Sequence, residues 1–123
     1  MTRFSRFIRS LRHALRGVRV VFRSEQSFRL QCVFATLAVL LLLILPVSGF
    51  QAVVILLLIG LVLVLEMVNS VLERLVDALK PRMHPVVGDI KDIMAAAVLF
   101  ASLTACVIGA VVFLPHLFAL FVA

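Results

Sequence analysis

Polar and apolar positions follow different rules in successive parts of this chain. Over residues 1–29, Phe4, Phe7, Ile8, Leu11, Leu15 and Val18 share one side of a helical repeat. Arg3, Arg6, Arg9, Arg12, Arg16, Arg19, Arg23 and Arg29 recur mostly every three or four residues on the other. That period predicts an amphipathic helix, and a guanidinium face opposite a bulky apolar one suits a helix lying in a membrane interface. From Cys32 to Leu65 there is no charged residue at all. Such a run exceeds the about 20 residues of a single span, and Pro46-Val47-Ser48-Gly49 breaks it. The pattern therefore predicts spans at about 30–47 and 51–72 joined by a short uncharged turn. The second helix should run on to about Leu79 and stop at Pro81. A polar loop is expected over Lys80–Asp92, then a third span over about 93–114 that ends at Pro115-His116.

These elements make an all-α membrane protein with an N-terminal amphipathic surface helix and three transmembrane helices. It is read as a single domain, with residues 1–29 on the surface and 30–123 forming the three-span body. Composition agrees: 64% of the 123 residues are hydrophobic, against roughly 45–50% in soluble domains. The net charge of +6 comes from twelve Lys and Arg against six Asp and Glu. Such a balance could signal nucleic acid, but most of the excess lies ahead of the first span and no folded reader domain accompanies it. A positive-inside signal accounts for it. That rule places the N-terminus and the Lys80, Arg82 and Lys91 segment on the cytoplasmic side, and the 46–50 turn and C-terminus on the outer side. A cleavable signal peptide does not fit, because the apolar region is too long and no small-residue cleavage site follows. Cys32 and Cys106 lie at different depths, which disfavours a disulfide, and they read as small buried hydrophobes.

Acid enters the apolar stretch at Glu66-Met-Val-Asn69-Ser-Val-Leu-Glu73-Arg-Leu-Val-Asp77. Spacings of three, four and four put Glu66, Asn69, Glu73 and Asp77 on one helical face. A carboxylate within a span costs about 2.5–3.5 kcal/mol on insertion scales, so a function is the usual reason to keep one. The other acids, Glu25, Asp89 and Asp92, fall at the same membrane level, and all six acids thus share one cytoplasmic-side layer. Carboxylates gathered in this way suit Mg²⁺, a hard cation that bridges substrate phosphates. Lys91 and the arginines can neutralise phosphate oxygens, and a further carboxylate can deprotonate an attacking hydroxyl. Together these are the parts of a phosphoryl-transfer site. Neither a Gly-x-x-x-x-Gly-Lys loop nor a protein-kinase signature is present, so a soluble type of nucleotide site is excluded. Pairing of the acids with Arg74, Lys80 and Lys91, merely to tolerate a membrane edge, is the competing account.

With Gly17-Val18-Arg19, Glu25-x-x-Phe28-Arg29, the Glu66–Asp77 motif, His84 and Lys91-Asp92 at these spacings, the chain resembles the bacterial integral-membrane diacylglycerol kinases and their undecaprenol kinase relatives over nearly its whole length. The resemblance implies a homotrimer in the cytoplasmic (inner) membrane, with composite sites between subunits, using ATP, Mg²⁺ and a membrane lipid alcohol. It makes Glu66 the base acting on the lipid hydroxyl, with Asn69 arranging the groups around it. It makes Glu25 and Glu73 the carboxylates that hold Mg²⁺, and places Asp77, Lys91 and Asp92 around the nucleotide. It puts Arg6, His13 and His84 near the nucleotide and Arg29 at the lipid entrance. His13 stands where the family often has an aromatic residue, Val71 replaces a small one, and Val87 and Asp89 replace a serine and a basic residue. The expected reaction is transfer of the γ-phosphoryl group of ATP to diacylglycerol or undecaprenol. The rival from another class is a non-enzymatic oligomer, a holin-like pore or an adaptor, which three spans and a basic terminus would also fit.

Overall fold

The computed structural model describes residues 2–79 and 84–122, with His84 described by its backbone alone. Among these residues the order is α1 (Arg3–Ser24), α2 (Gln26–Ile44), α3 (Gly49–Leu79) and α4 (His84–Val122). The last three are long and apolar enough to cross a membrane.

Helix α1 begins in a reciprocal cap. Thr2 Oγ1 accepts from the Ser5 amide at 3.2 Å, and Ser5 Oγ donates to the Thr2 carbonyl at 2.9 Å, which satisfies groups that a helix start leaves open. Only Val21 of this helix is buried. Phe4, Phe7, Leu11 and Leu15 stand exposed on its apolar side, the face an interfacial helix would give to acyl chains. The helix stops at Ser24 and not at residue 29. Glu25 adopts extended dihedrals (φ −114°, ψ 112°), so Gln26–Arg29 form the first turn of α2. The corner is closed by Phe22 and Phe28, whose rings meet edge to face with centroids 6.5 Å apart.

Helix α2 has 19 residues, about 28 Å at 1.5 Å per residue, close to the about 30 Å hydrocarbon core. It ends at Leu45, where Pro46 cannot continue the amide ladder. Ser48 Oγ then accepts from the Gln51 amide at 3.1 Å and starts α3. With 31 residues, about 46 Å, α3 extends beyond the bilayer, as its polar C-terminal third requires. Pro81, the expected stop, lies outside the described residues. Helix α3 packs against both neighbours, mainly α4. At the end near the 46–48 turn, Leu45, Ile55, Val112 and Phe113 make the buried core.

Helix α4 departs from expectation at both ends. It starts at His84, so residues 84–92 are helical and not loop, and it continues through Pro115 to Val122. Polar side chains do not prevent a helix once it projects from the bilayer. The proline removes one amide donor and leaves the backbone dihedrals helical. Beside it, His116 Nδ1 meets the Val112 carbonyl at 2.9 Å and Nε2 the Pro46 carbonyl at 3.1 Å, which fastens this turn of α4 to the α2–α3 turn. About one turn below the polar end of α2, Gln31 Nε2 donates to Ser102 Oγ at 3.1 Å and ties α2 to α4. The small residues at 101 and 102 permit that approach. Cys32 and Cys106 are both free thiols.

Candidate active site

The corner between α1 and α2 rests on the polar third of α3, and this contact assembles the site. Helical spacing carries Glu66, Ser70 and Glu73 up α3, while the break at Glu25 turns two short polar side chains, Ser24 and Ser27, toward them. Glu66 is 4% exposed and Ser70 1%. Ser27 Oγ donates to Glu66 Oε2 at 3.1 Å, so the buried carboxylate has a partner, as burial of such a group demands. Ser70 Oγ donates to Glu25 Oε1 at 3.2 Å. Arg74 donates from Nε to Ser70 Oγ at 3.4 Å and from Nη2 to Ser24 Oγ at 2.8 Å. One turn along, Asn69 Nδ2 donates to Glu73 Oε1 at 3.4 Å. Glu25 and Glu73 lie close enough for their charges to act on Glu66.

The α3–α4 side of this layer is closed by an ion pair, Lys91 Nζ to Asp77 Oδ1 at 2.8 Å. Asp89 and Asp92 are exposed on the same end of α4. Arg29 turns back to cap α1, with Nη1 donating to the carbonyls of Phe22 at 2.8 Å and Arg23 at 3.0 Å. This satisfies carbonyls that the end of a helix leaves open. His13 lines a cavity of about 390 Å³ between α1 and α3, together with Arg16, Met67 and Arg74.

The structure thus brings together Glu25, Glu66, Asn69 and Glu73, with Asp77 and Lys91 beyond them. It does not bring in Arg6, which precedes Glu25 by nineteen residues, about 28 Å along the axis of α1. The His84 side chain lies outside the described residues. Among the described residues, no three His, Cys, Asp or Glu side chains converge closely enough to hold a metal ion by themselves. Sequence reasoning gave no role to Ser24, Ser27 or Ser70 and treated Arg74 only as a partner for acids. The available signals were slight: a serine two residues after Glu25, and a serine inside the Asn69-Ser70 step.

A second cavity, about 260 Å³, opens between α2, α3 and α4. Its walls include Gln31, Ala38, Ile59, Leu63, Ser102 and Phe113. Leu63, at one edge of this apolar space, stands one turn before Glu66 on α3.

Fold and site define an all-helical integral membrane protein with a carboxylate-rich polar layer at one end of its spans. Known proteins are similar to the chain in sequence. The family model for prokaryotic diacylglycerol kinase matches residues 12–113. The undecaprenol kinase of Bacillus subtilis (strain 168) is 33% identical over 113 residues, covering 92% of each chain. The diacylglycerol kinase of Escherichia coli (strain K12) is 30% identical over 115 residues, 94% of each chain. The diacylglycerol kinase of Synechocystis sp. (strain ATCC 27184 / PCC 6803 / Kazusa) is 31% identical over 114 residues, 92% of this chain and 65% of the relative. The chain belongs to the prokaryotic diacylglycerol kinase family. It is accordingly a lipid kinase, a phosphotransferase using ATP, and the pore or adaptor alternative is not favoured.

Proposed function

We propose that the protein transfers the γ-phosphoryl group of ATP to the hydroxyl of a membrane lipid, with Glu66 as the general base. One observation carries this reading: Glu66 is a buried carboxylate near the end of a span, with two further carboxylates close by. A general base must sit within hydrogen-bond reach of the proton it takes. Glu66 lies near the end of its span, where a lipid hydroxyl would sit, and the apolar cavity lined by Leu63 and Ile59 on the same helix suits an apolar chain. As the new O–P bond forms, Glu66 takes the hydroxyl proton and ADP leaves with the electron pair of the broken bond. Asn69 holds Glu73 and so orders the face on which the phosphates lie.

The donor set fits Mg²⁺. This ion is commonly held by one or two carboxylates, with phosphates and waters completing six oxygens. Glu25 and Glu73, each close enough to Glu66 for its charge to act there, would hold it. Mg²⁺ would neutralise charge on the β- and γ-phosphate oxygens. Lys91, Asp77 and Asp92 would meet the outer part of the nucleotide, with His84 and Arg6 completing that side. His13 lies on the α1–α3 cavity and Arg29 steadies the corner. The distance of Arg6 from Glu25 within one chain fits its supply by a neighbouring subunit, in line with the homotrimer that the family resemblance implies. The arginines of α1 and the Lys80, Arg82 and Lys91 segment support an orientation with the N-terminus inside and the C-terminus outside, and the family resemblance supports the cytoplasmic membrane.

For the acceptor, the 33% identity to the Bacillus subtilis undecaprenol kinase, against 30% to the Escherichia coli diacylglycerol kinase, favours undecaprenol over diacylglycerol. The test is a side-by-side assay of purified protein with ATP and each lipid, following lipid-bound phosphate. Faster turnover of undecaprenol is expected. Equal or faster turnover of diacylglycerol would reverse the choice, and phosphorylation of neither would overturn the reading.

A further inference from the structure

Glu25 stands at a break in the backbone, and neither helix it joins fixes its carboxylate. It closes α1 through its amide alone, and as the residue before α2 it makes no side-chain capping bond. Its side chain is held from α3, forty-five residues away, by Ser70 Oγ at 3.2 Å. A hydroxyl has one proton to donate. Ser70 gives it to Glu25 and therefore receives from Arg74 Nε at 3.4 Å. The same guanidinium donates to Ser24 Oγ at 2.8 Å, beside Glu25 in the chain. Arg74 thus grips both the hydroxyl that binds the carboxylate and the residue that carries it. Two donors at fixed angles do this, and the single ammonium of a lysine would not. The path from guanidinium through hydroxyl to carboxylate is directional, so each bond polarises the next. Ser70, at 1% exposed, is shielded from competing water.

We propose that Arg74 and Ser70 are positioning residues for Glu25, fixing its carboxylate in the orientation in which it would hold the metal. The proposal rests on the reading of Glu25 as a metal ligand. Arg74 itself touches no reacting atom. Although the side chain is exposed, its guanidinium is turned onto Ser70 and Ser24, and its effect on the reaction passes through the orientation of Glu25.

The experiment uses full-length protein in detergent micelles with a non-hydrolysable ATP analogue, and reads bound Mn²⁺ by electron paramagnetic resonance. Ser70→Ala and Arg74→Ala should each weaken Mn²⁺ binding about tenfold, the scale of one lost hydrogen bond to a charged group. The double variant should be no weaker than either single one, because both changes interrupt one chain of bonds. Arg74→Lys keeps the charge but loses the fork and should also be weakened. In a Glu25→Gln background, Arg74→Ala should have no further effect on Mn²⁺. Undiminished Mn²⁺ binding in either single variant, or additive losses in the double one, with native helicity retained, would overturn the proposal. If the alanine variants do not fold, Arg74→Lys decides it, and wild-type Mn²⁺ affinity in that variant would be the contrary result. Should Glu25→Gln alone leave Mn²⁺ binding intact, the ligand role of Glu25 fails and the proposal falls with it. That arm tells the two failures apart.

Discussion

Replacing Glu66 by Gln should move activity and stability in opposite directions. Gln matches Glu in shape, and its amide oxygen can still accept from Ser27 Oγ, which lies 3.1 Å from Glu66 Oε2. Packing at this 4%-exposed position is therefore preserved. The change removes a charge from an apolar span, recovering a fraction of the about 2.5–3.5 kcal/mol that a central charge costs, because Glu66 stands toward the boundary. It also removes repulsion from Glu25 and Glu73. Thermal stability in detergent should hold or rise. The proposed base is lost, however, and such groups contribute about 10²–10⁴ in rate, equivalent to about 2.7–5.4 kcal/mol at 1.36 kcal/mol per decade. Phosphate transfer to lipid should fall at least a hundredfold on that scale, while size-exclusion and helicity stay as in wild type. The assay is initial rate against lipid and ATP, paired with a melt of the same preparation. Retention of more than a tenth of the activity would refute the base assignment. A lower melting temperature would instead make the carboxylate a structural strut.

Three further outcomes follow from single bonds. Ser27→Ala leaves a buried acceptor without its donor and should destabilise the α2–α3 contact by about 1–3 kcal/mol, read from denaturant titration in micelles, whereas Ser27→Thr keeps the hydroxyl and should lose less. Gln31→Leu removes the bond to Ser102 within the span, where such bonds average about 0.6 kcal/mol; a loss above about 2 kcal/mol in the same titration would mean that Gln31 does more than join α2 to α4. His116→Ala detaches α4 from the Pro46 carbonyl and should cost about 1 kcal/mol, with faster proteolysis at the 46–48 turn as the visible sign and unchanged kinase activity as the control.

The spans were legible because hydrophobic run length is a direct readout of bilayer thickness, and Pro46 marks the turn unambiguously. Glu66, Asn69 and Glu73 were legible because a helical repeat of polar groups stands out against an apolar background. The ends of α4 were not. Residues 84–92 look like loop when polarity is taken to mean irregularity, yet a helix leaving the membrane becomes polar without unwinding, and Pro115 was given more weight as a stop than one missing amide warrants. The hydroxyl contacts were hidden for a different reason. Ser27 to Glu66, Ser70 to Glu25 and Arg74 to Ser24 join positions 39, 45 and 50 residues apart, and no local periodicity encodes such a pairing.

The length of α4 governs how the outer end of the site behaves. Its 39 residues make a rod of about 58 Å, nearly twice the hydrocarbon thickness of about 30 Å. The stretch carrying Asp89, Lys91 and Asp92 is therefore a continuation of the span, standing above the membrane on a stem whose backbone bonds are already made. A flexible loop would give up about 1–2 kcal/mol of backbone freedom per residue each time it closed on a nucleotide. Here that ordering is complete when the chain folds. Any tilt of the span must swing these side chains as one rigid unit, so bilayer thickness and the aim of Lys91 are mechanically linked.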